Sequence, residues 1–503
     1  MKILDLETLA ERIRSLQANG QSVALCHGVF DLLHVGHLRY LKGARELADV
    51  LVVTLTPDRF VDKGPYRPAF DEDLRLEAMA ALEVVDSVAL NAWPTAEETL
   101  RCLKPDVYVK GAEFREPGAD PTGKMELERQ VAAEVGCRVE FVEDLTFSSS
   151  QLINRHLPVY PEAVGRYLDS LRGRFPLDDV LALLDRLANL RVLVIGDAIV
   201  DEYVYVEALG KASKDPALAV RYQSEERFAG GAVAIANHLA AFGCQVELVS
   251  VVGDDEPGEL LAQSLAERVR EKFVQRSGVP TVCKQRIVDG YSSNKLLSIY
   301  RMDVSTAPDA IVDELTQTVQ DAAANADLIV CADYGHGAIP APLVPVICGL
   351  PQFLAINTQA NAGNHGFHTV TRYERADFVC LAEHEIRLET RDSEGGLRPM
   401  MTDVARQLEA SLFVVTRGKR GSLALAADDT FHEAPALASR VVDRIGAGDA
   451  FFALAALAAK LEAAPELVSL LGNAAGAQGV EIVGNRHALD ASRLRKQITA
   501  MLK

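Results

Sequence analysis

The sequence predicts an α/β protein made of two doubly wound parallel-sheet domains. Three observations carry this expectation. Two segments run strand, glycine turn, helix: residues 22–26 followed by His27-Gly-Val-Phe-Asp31-Leu-Leu-His34-Val-Gly36-His37, and residues 191–195 followed by Gly196-Asp197. Each opens a series of short β-branched runs that alternate with helical patterns, as parallel strands joined by crossover helices do. The chain of 503 residues also exceeds one ordinary core, since a domain holds roughly 100–200 residues.

The elements follow in order. Residues 1–16 read as an amphipathic helix carrying acids, without the apolar core or cleavage site of a signal peptide. Strands are expected at 22–26, 50–55, 87–90, 107–109 and 138–142 in the first series. In the second they are expected at 191–195, 246–252, 328–331, 353–356, 378–381 and 412–416. These runs are apolar nearly throughout, which is the pattern of strands covered by helices on both faces. Between the series, Pro158 and Pro161 precede two helical stretches, 163–172 and 178–187. The expected division is therefore 1–157, a helical linker at 158–190, and 191–503.

Composition narrows the function classes. The net charge of −19 argues against nucleic acid or an anionic membrane as partner, because both demand a basic face. Small anionic substrates need only local positive potential, so small molecules are the expected partners. No apolar run reaches the length of a membrane span. The eight cysteines form no C-x-x-C pair, and most lie in apolar runs. Free buried thiols in a reducing cytoplasm are expected.

The first chemical signal is the histidine pair. His34 and His37 are three residues apart, which predicts one face of a helix's first turn. A helix N-terminus offers unpaired N–H groups and positive partial charge to a phosphate. Gly36 lets a ligand approach the backbone closely. Two imidazoles there can donate to a phosphoryl oxygen whose charge grows during in-line attack. A lone H-x-x-H is more often a surface pair or a metal site; the preceding strand, glycine turn and Phe30-Asp31 favour phosphate chemistry.

On these residues the stretch 22–156 resembles the cytidylyltransferase-like nucleotidyltransferases, a Rossmann-like group, and within it the nucleotidyltransferase half of the bifunctional heptose kinase/ADP-heptose synthases. The likeness also takes in Lys63-Gly64-Pro65, Arg67-Pro68, Arg75, the run 80–86, Lys104-Pro-Asp106-Val-Tyr-Val-Lys110-Gly111 and Phe147-Ser148-Ser149-Ser150. The resemblance implies nucleotide binding by Gly28, Phe30, His34, Gly36, His37, Lys110, Ser148, Ser149 and Ser150, with Lys63 beside the histidines in catalysis. It implies attack by a substrate phosphate on the α-phosphorus of a nucleoside triphosphate, with pyrophosphate leaving and no covalent intermediate.

The second signal is Asp443-Arg-Ile-Gly446-Ala447-Gly448-Asp449. A Gly-x-Gly turn entering a helix forms an anion cradle, and an aspartate beside it can take the proton of an attacking hydroxyl. Alone, the pattern also fits a loop with an N-capping Asp. Further motifs surround it: Gly196-Asp197 with Asp201, Phe228-Ala-Gly230-Gly231, Val252-Gly253-Asp254-Asp255, Ala332-Asp333-Tyr334-Gly335-His-Gly337 and Val415-Thr416-Arg417-Gly418. In that order they make residues 191–503 resemble the PfkB/ribokinase-type sugar kinases. The resemblance implies Asp449 as base, Thr416, Gly418, Gly446, Ala447 and Gly448 on the nucleotide, and Asp197, Asp201, Gly230 and Gly231 on the sugar. It also implies Glu385 organising Mg²⁺ through water. Three positions depart from the heptose-kinase pattern: Ala234 stands where an Asn is expected, 357–359 read Asn-Thr-Gln, and Ala382 replaces the Asn of N-x-x-E.

Together the readings point to a bifunctional, Mg²⁺-dependent, sugar-activating enzyme, expected to be a homodimer, whose domain order is the reverse of the heptose enzyme. It would use ATP in the kinase and ATP or CTP in the nucleotidyltransferase. Two alternatives remain open at this stage. One is an active nucleotidyltransferase on a kinase-fold sensing or dimerising platform. The other is a polyol-phosphate cytidylyltransferase with a matching kinase.

Overall fold

The computed structural model describes residues 2–64, 66–115, 124–142 and 160–503. The chain forms two compact units: Met1–Leu168 with Arg495–Lys503, and Asp169–Leu494. The division falls inside the helix Glu162–Arg174, and the last nine residues count with the first unit.

The first unit opens with α1 (Leu6–Ala18), capped by Asp5, whose side chain accepts from Thr8 N at 2.8 Å. Its five strands are β1 (Val23–Gly28), β2 (Val50–Leu55), β3 (Ser87–Leu90), β4 (Val107–Gly111) and β5 (Arg138–Val142). Between them run α2 (Val35–Arg45), α3 (Glu72–Ala80), α4 (Glu97–Leu103) and α5 (Lys124–Glu134). The strand order is β3-β2-β1-β4-β5, and all pairings are parallel. All six residues of β2 are buried, as expected of a strand covered on both faces. The order reverses direction between β1 and β4. In open α/β sheets the carboxyl edge at such a point is where ligands bind, and the histidine motif follows β1 there.

The second unit has two sheets. The larger comprises β6 (Arg191–Gly196), β9 (Gln245–Val252), β10 (Val269–Gln275), β13 (Leu328–Asp333), β14 (Phe353–Thr358), β15 (Phe378–Ala382), β16 (Leu412–Thr416), β17 (Ser422–Ala426) and β18 (Phe431–Ala434). Its order is β10-β9-β6-β13-β14-β15-β16-β17-β18, parallel except for the last two strands. The smaller sheet, order β12-β11-β7-β8, is built from β7 (Ala198–Lys211), β8 (Leu218–Gly231), β11 (Cys283–Asp289) and β12 (Lys295–Arg301). It is mostly antiparallel and was not anticipated from sequence. All eight cysteines are free, with Cys102 exposed and the other seven buried. Among the described residues no helix is long and apolar enough to cross a membrane.

Candidate active sites

In the first unit, β1 ends in Gly28, and Phe30 turns the chain with φ +48°. The Phe30 ring meets His37 edge-on at 5.3 Å and stacks over Tyr40 at 6.5 Å. A Cβ on Gly28 would lie 3.1 Å from the Phe30 ring, so the glycine permits this close packing. His34 is the N-cap of α2, not a member of its first turn: its Nδ1 accepts from Gly36 N at 3.1 Å. The two imidazoles nonetheless lie together, with ring centroids 4.1 Å apart. Burial first, then His34 and Lys63, depress the His37 pKa to about 3. That ring is neutral at physiological pH and can donate one N–H to a phosphoryl oxygen. Lys63 belongs to the same cluster, and its pKa is lowered by burial and by Arg67 against the pull of Asp31.

Two charged residues shape this site without facing it. Buried Asp31 accepts from Ala69 N at 2.7 Å and Phe70 N at 3.1 Å, with Arg67 3.6 Å from its other oxygen. Arg75, 2% exposed, donates to the carbonyls of Val29, Thr56 and Phe70 at 2.6, 3.0 and 3.1 Å and to Asp58 at 2.5 Å. It clamps three loops at once. Lys110, expected on the triphosphate, pairs with Glu128 at 2.7 Å, and Tyr108 donates to the same carboxylate oxygen at 3.0 Å. The ion pair satisfies a carboxylate that burial would otherwise penalise. Ser148, Ser149 and Ser150 lie outside the described residues.

In the second unit, Gly446 caps the helix Ala447–Lys460 with φ +83° and no side-chain cap. The N–H groups of that first turn therefore have no capping side chain, as an anion cradle requires. A Cβ on Gly446 would lie 2.2 Å from Asn485 Oδ1, whereas one on Gly448 would meet nothing within 4 Å. The space over Gly448 is open to a ligand. Asp449 sits in the first turn and accepts from the Tyr334 hydroxyl at 2.6 Å. Burial raises its pKa to about 6; Asp201 adds to the rise, and Tyr334 and Lys284 oppose it. A carboxylate with that pKa is a stronger base than an exposed aspartate and is still ionised at pH 7. Its Oδ2 accepts no hydrogen bond from the described residues.

The sugar-side acids divide in role. Asp197 accepts from the N–H groups of Tyr334, His336 and Ala338 at 2.9, 3.2 and 2.9 Å. It pins loop 334–338 through both its oxygens. Asp201 is bound by Arg286, and a Cβ on Gly230 would come within 2.5 Å of its Oδ2. Gly231, at φ +59°, packs equally closely on Asp197 O. These glycines act by letting backbone close over the acids. Ala234 is buried within the helix Ala232–Ala241.

On the nucleotide side, Thr416 ends β16 with Oγ1 3.5 Å from Leu381 O, and Gly418 opens the next turn with φ +57°. Glu385 accepts from Ala382 N at 2.6 Å and Ala360 N at 3.2 Å. Burial lifts its pKa to about 7 against those bonds, with Asp449 adding to the rise. No cluster of three or more potential ligands exists among the described residues.

Sequence reasoning named Tyr334 only as part of a motif and missed Lys284, Arg286 and Asp443 as site residues. Asp443 accepts from Tyr203 Oη and Lys295 Nζ at 2.6 Å each, and from Gly484 N and Ile445 N at 3.1 and 3.2 Å. Burial pushes its pKa up, and those bonds outweigh it, leaving the pKa lowered. It fastens strands β7 and β12 of the smaller sheet to the turn that precedes Gly446.

Residues 189–491 match the pfkB family carbohydrate kinases, and residues 25–155 match the cytidylyltransferase-like family. The chain belongs to the pfkB family of carbohydrate kinases and carries a cytidylyltransferase-like domain before its kinase domain. It is 30% identical over 309 residues to the "Bifunctional protein HldE" of Hyphomonas neptunium, covering 60% of this chain and 61% of that protein. It is 29% identical over 277 residues to the "D-beta-D-heptose 7-phosphate kinase" of Bordetella bronchiseptica, covering 54% of this chain and 85% of that one. The chain spans between 24% and 63% of the length of the bifunctional relatives it matches. The structure of phosphofructokinase-2 from Escherichia coli in complex with potassium shares the kinase fold, with TM-score 0.50 and 14% identity over 62% of this chain and 100% of that one.

Proposed function

We propose that the chain phosphorylates a sugar or sugar phosphate, at the anomeric hydroxyl, and joins a sugar 1-phosphate to a nucleotide with release of pyrophosphate. The observation that carries the kinase half is Asp449: a carboxylate with raised pKa and an open Oδ2, in the first turn of a helix whose N-terminus lacks a capping side chain. In this reading Oδ2 takes the proton of the acceptor hydroxyl. The N–H groups of 446–448 hold the moving phosphoryl, and the Tyr334 hydroxyl keeps the carboxylate turned to the acceptor. Bound Mg²⁺ would neutralise phosphate charge, reached by Glu385 through water.

The His34–His37 pair at the start of α2 supports the nucleotidyl-transfer half, with Lys63 supplying positive charge. The names of the relatives favour a heptose phosphate as acceptor and an ADP-heptose as final product. We also propose a homodimer in the cytoplasm. The smaller sheet leaves Leu209, Leu218, Tyr222, Leu297 and Ile299 between 42% and 61% exposed, an apolar face that a second copy would cover.

The test is mass spectrometry of the products formed from D-heptose 7-phosphate, other sugars and sugar phosphates, with each of the four nucleoside triphosphates. A sugar bisphosphate or sugar 1-phosphate, and an NDP-sugar, are expected. Neither product from any combination would refute the proposal.

A further inference from the structure

Residues 492–503 lie beyond the stretch that matches the pfkB kinases and outside the stretch that matches the cytidylyltransferase-like family. They are nonetheless firmly packed. The helix Ala491–Leu502 reads ASRLRKQITAML. Leu494, Ile498 and Met501 follow the spacing i, i+4, i+7 and form one apolar stripe, each at most 1% exposed. A helix docked by one stripe leaves its other faces in water. This one does not. Gln497 and Ala500, roughly a quarter-turn from the stripe at about 100° per residue, are also buried. From Arg493 to Leu502 no residue is exposed. A second face of the helix is covered.

From Arg495 onward the helix belongs to the compact unit that holds the histidine pair. Its contact there is with the loop after β2. A Cβ on Gly64 would lie 3.6 Å from both Cα and O of Gln497 and 3.7 Å from its Cβ, so the loop rests on the helix backbone. Gly64 holds φ +96°, a conformation that suits glycine. The loop is fixed farther along by Asp31, which accepts from Ala69 N and Phe70 N and pairs with Arg67. Gln497 supports it next to Lys63. Lysine is a point charge on a flexible four-carbon stem, so where its ammonium acts depends on how its Cα is held.

We propose that residues 495–502 are a working part of the nucleotidyltransferase: the helix seats Gly64 at Gln497 and thereby positions Lys63 beside His34 and His37 for the transferring phosphate. This rests on the nucleotidyl-transfer reading above. Gln497 is a positioning residue, acting through Lys63.

The test uses the full-length protein with heptose 1-phosphate and ATP, read as pyrophosphate release. Gln497→Pro kinks the helix at the seat. It should lower kcat about 10²-fold, the scale of a 1 Å misplacement, while kinase turnover stays at the wild-type value. In a Lys63→Ala background the same substitution should cost only about twofold more, because the effect passes through Lys63. A merely structural helix would give multiplying losses, and that result would overturn the proposal. So would wild-type pyrophosphate release in Gln497→Pro. The second variant, Gly64→Cys with Gln497→Cys, stands whether or not the proline variant folds. The Cβ separation of 3.7 Å falls within the disulfide range of about 3.5–4.5 Å, so oxidation should form the cross-link, read by peptide mapping. The oxidised form should release pyrophosphate at least as fast as the reduced form. Failure to cross-link, or a loss on oxidation that reductant restores, would refute the seat. If wild type releases no pyrophosphate with any acceptor and any nucleoside triphosphate, the nucleotidyl-transfer reading itself fails and this proposal falls with it, even where the cross-link forms.

Discussion

Replacing Asp449 by Asn tests the kinase at one atom. The substitution keeps the size of the side chain and leaves Oδ1 to accept from Tyr334, 2.6 Å away in the wild type. It removes only the proton acceptor. A general base contributes about 10²–10⁴-fold, so sugar-dependent ADP formation should fall by that factor while ATP binding persists. The pH profile sharpens the test. The wild-type carboxylate, raised to about 6, must be ionised to act, so kcat/KM should drop about tenfold per pH unit below pH 6 and stay level above it. Tyr334→Phe removes a bond that favours the ionised form, so this limb should move to higher pH. A hydrogen bond to a charged group is worth about 1.5–3 kcal/mol, which corresponds to roughly one to two pH units. Stability should move the other way. A folded-state pKa above the unfolded value disfavours folding where the group is ionised, so Asp449→Asn should melt higher than wild type at pH 7.5. That gain should vanish as pH falls from 6 toward 4, where the wild-type group takes up its proton. The assays are coupled ADP release across pH 5–8 and thermal melting at both pH extremes. An Asn variant within threefold of wild-type kcat, or a wild-type profile flat down to pH 5, would refute the base assignment.

Other outcomes follow from the same geometry. His34→Ala or His37→Ala should lower pyrophosphate release by about 10²–10³-fold, the scale of one lost oxyanion donor, with kinase turnover intact. Because burial holds the His37 pKa near 3, wild-type pyrophosphate release should show no limb from His37 between pH 5 and 8, and His37→Ala should leave the shape of the profile unchanged. Arg75→Ala should destabilise the first unit by about 1–3 kcal/mol, since it leaves the carbonyls of Val29, Thr56 and Phe70 without their donor; calorimetry should show its transition shifted down and the kinase transition unmoved. Gly446→Ala should abolish most kinase turnover: the side chain would collide with Asn485, and a left-handed backbone costs a non-glycine residue about 1–2 kcal/mol.

What the sequence revealed follows from range. The strands of both parallel sheets were legible because burial on two faces writes an uninterrupted apolar run, as in Val50–Leu55. The smaller sheet was not. Strand β8 reads LAVRYQSEERFAGG, exposed over most of its length, and β12 has no fully buried residue. Neither carries a run or a clean alternation. The glycine turns and the His34, His37 and Asp449 motifs were legible because their chemistry is local. Their partners were not. Tyr334 reaches Asp449 from just beyond the end of β13, 115 residues away, so spacing along the chain holds no sign of it. A charged residue inside a motif carries no sign of its intramolecular partners either: in this structure Asp197 accepts from three backbone N–H groups and Lys110 pairs with Glu128.

The bonds of Asp443 tie two substrates into one equilibrium. One carboxylate holds β7 and β12 of the smaller sheet, and also holds the turn proposed to cradle phosphate. A sugar that settles that sheet therefore firms the turn, and a nucleotide that fills the turn firms the sheet. By reciprocity each ligand must tighten the other by the same factor. The kinase should consequently show synergy between its substrates, and hydrolyse little ATP when no acceptor is present.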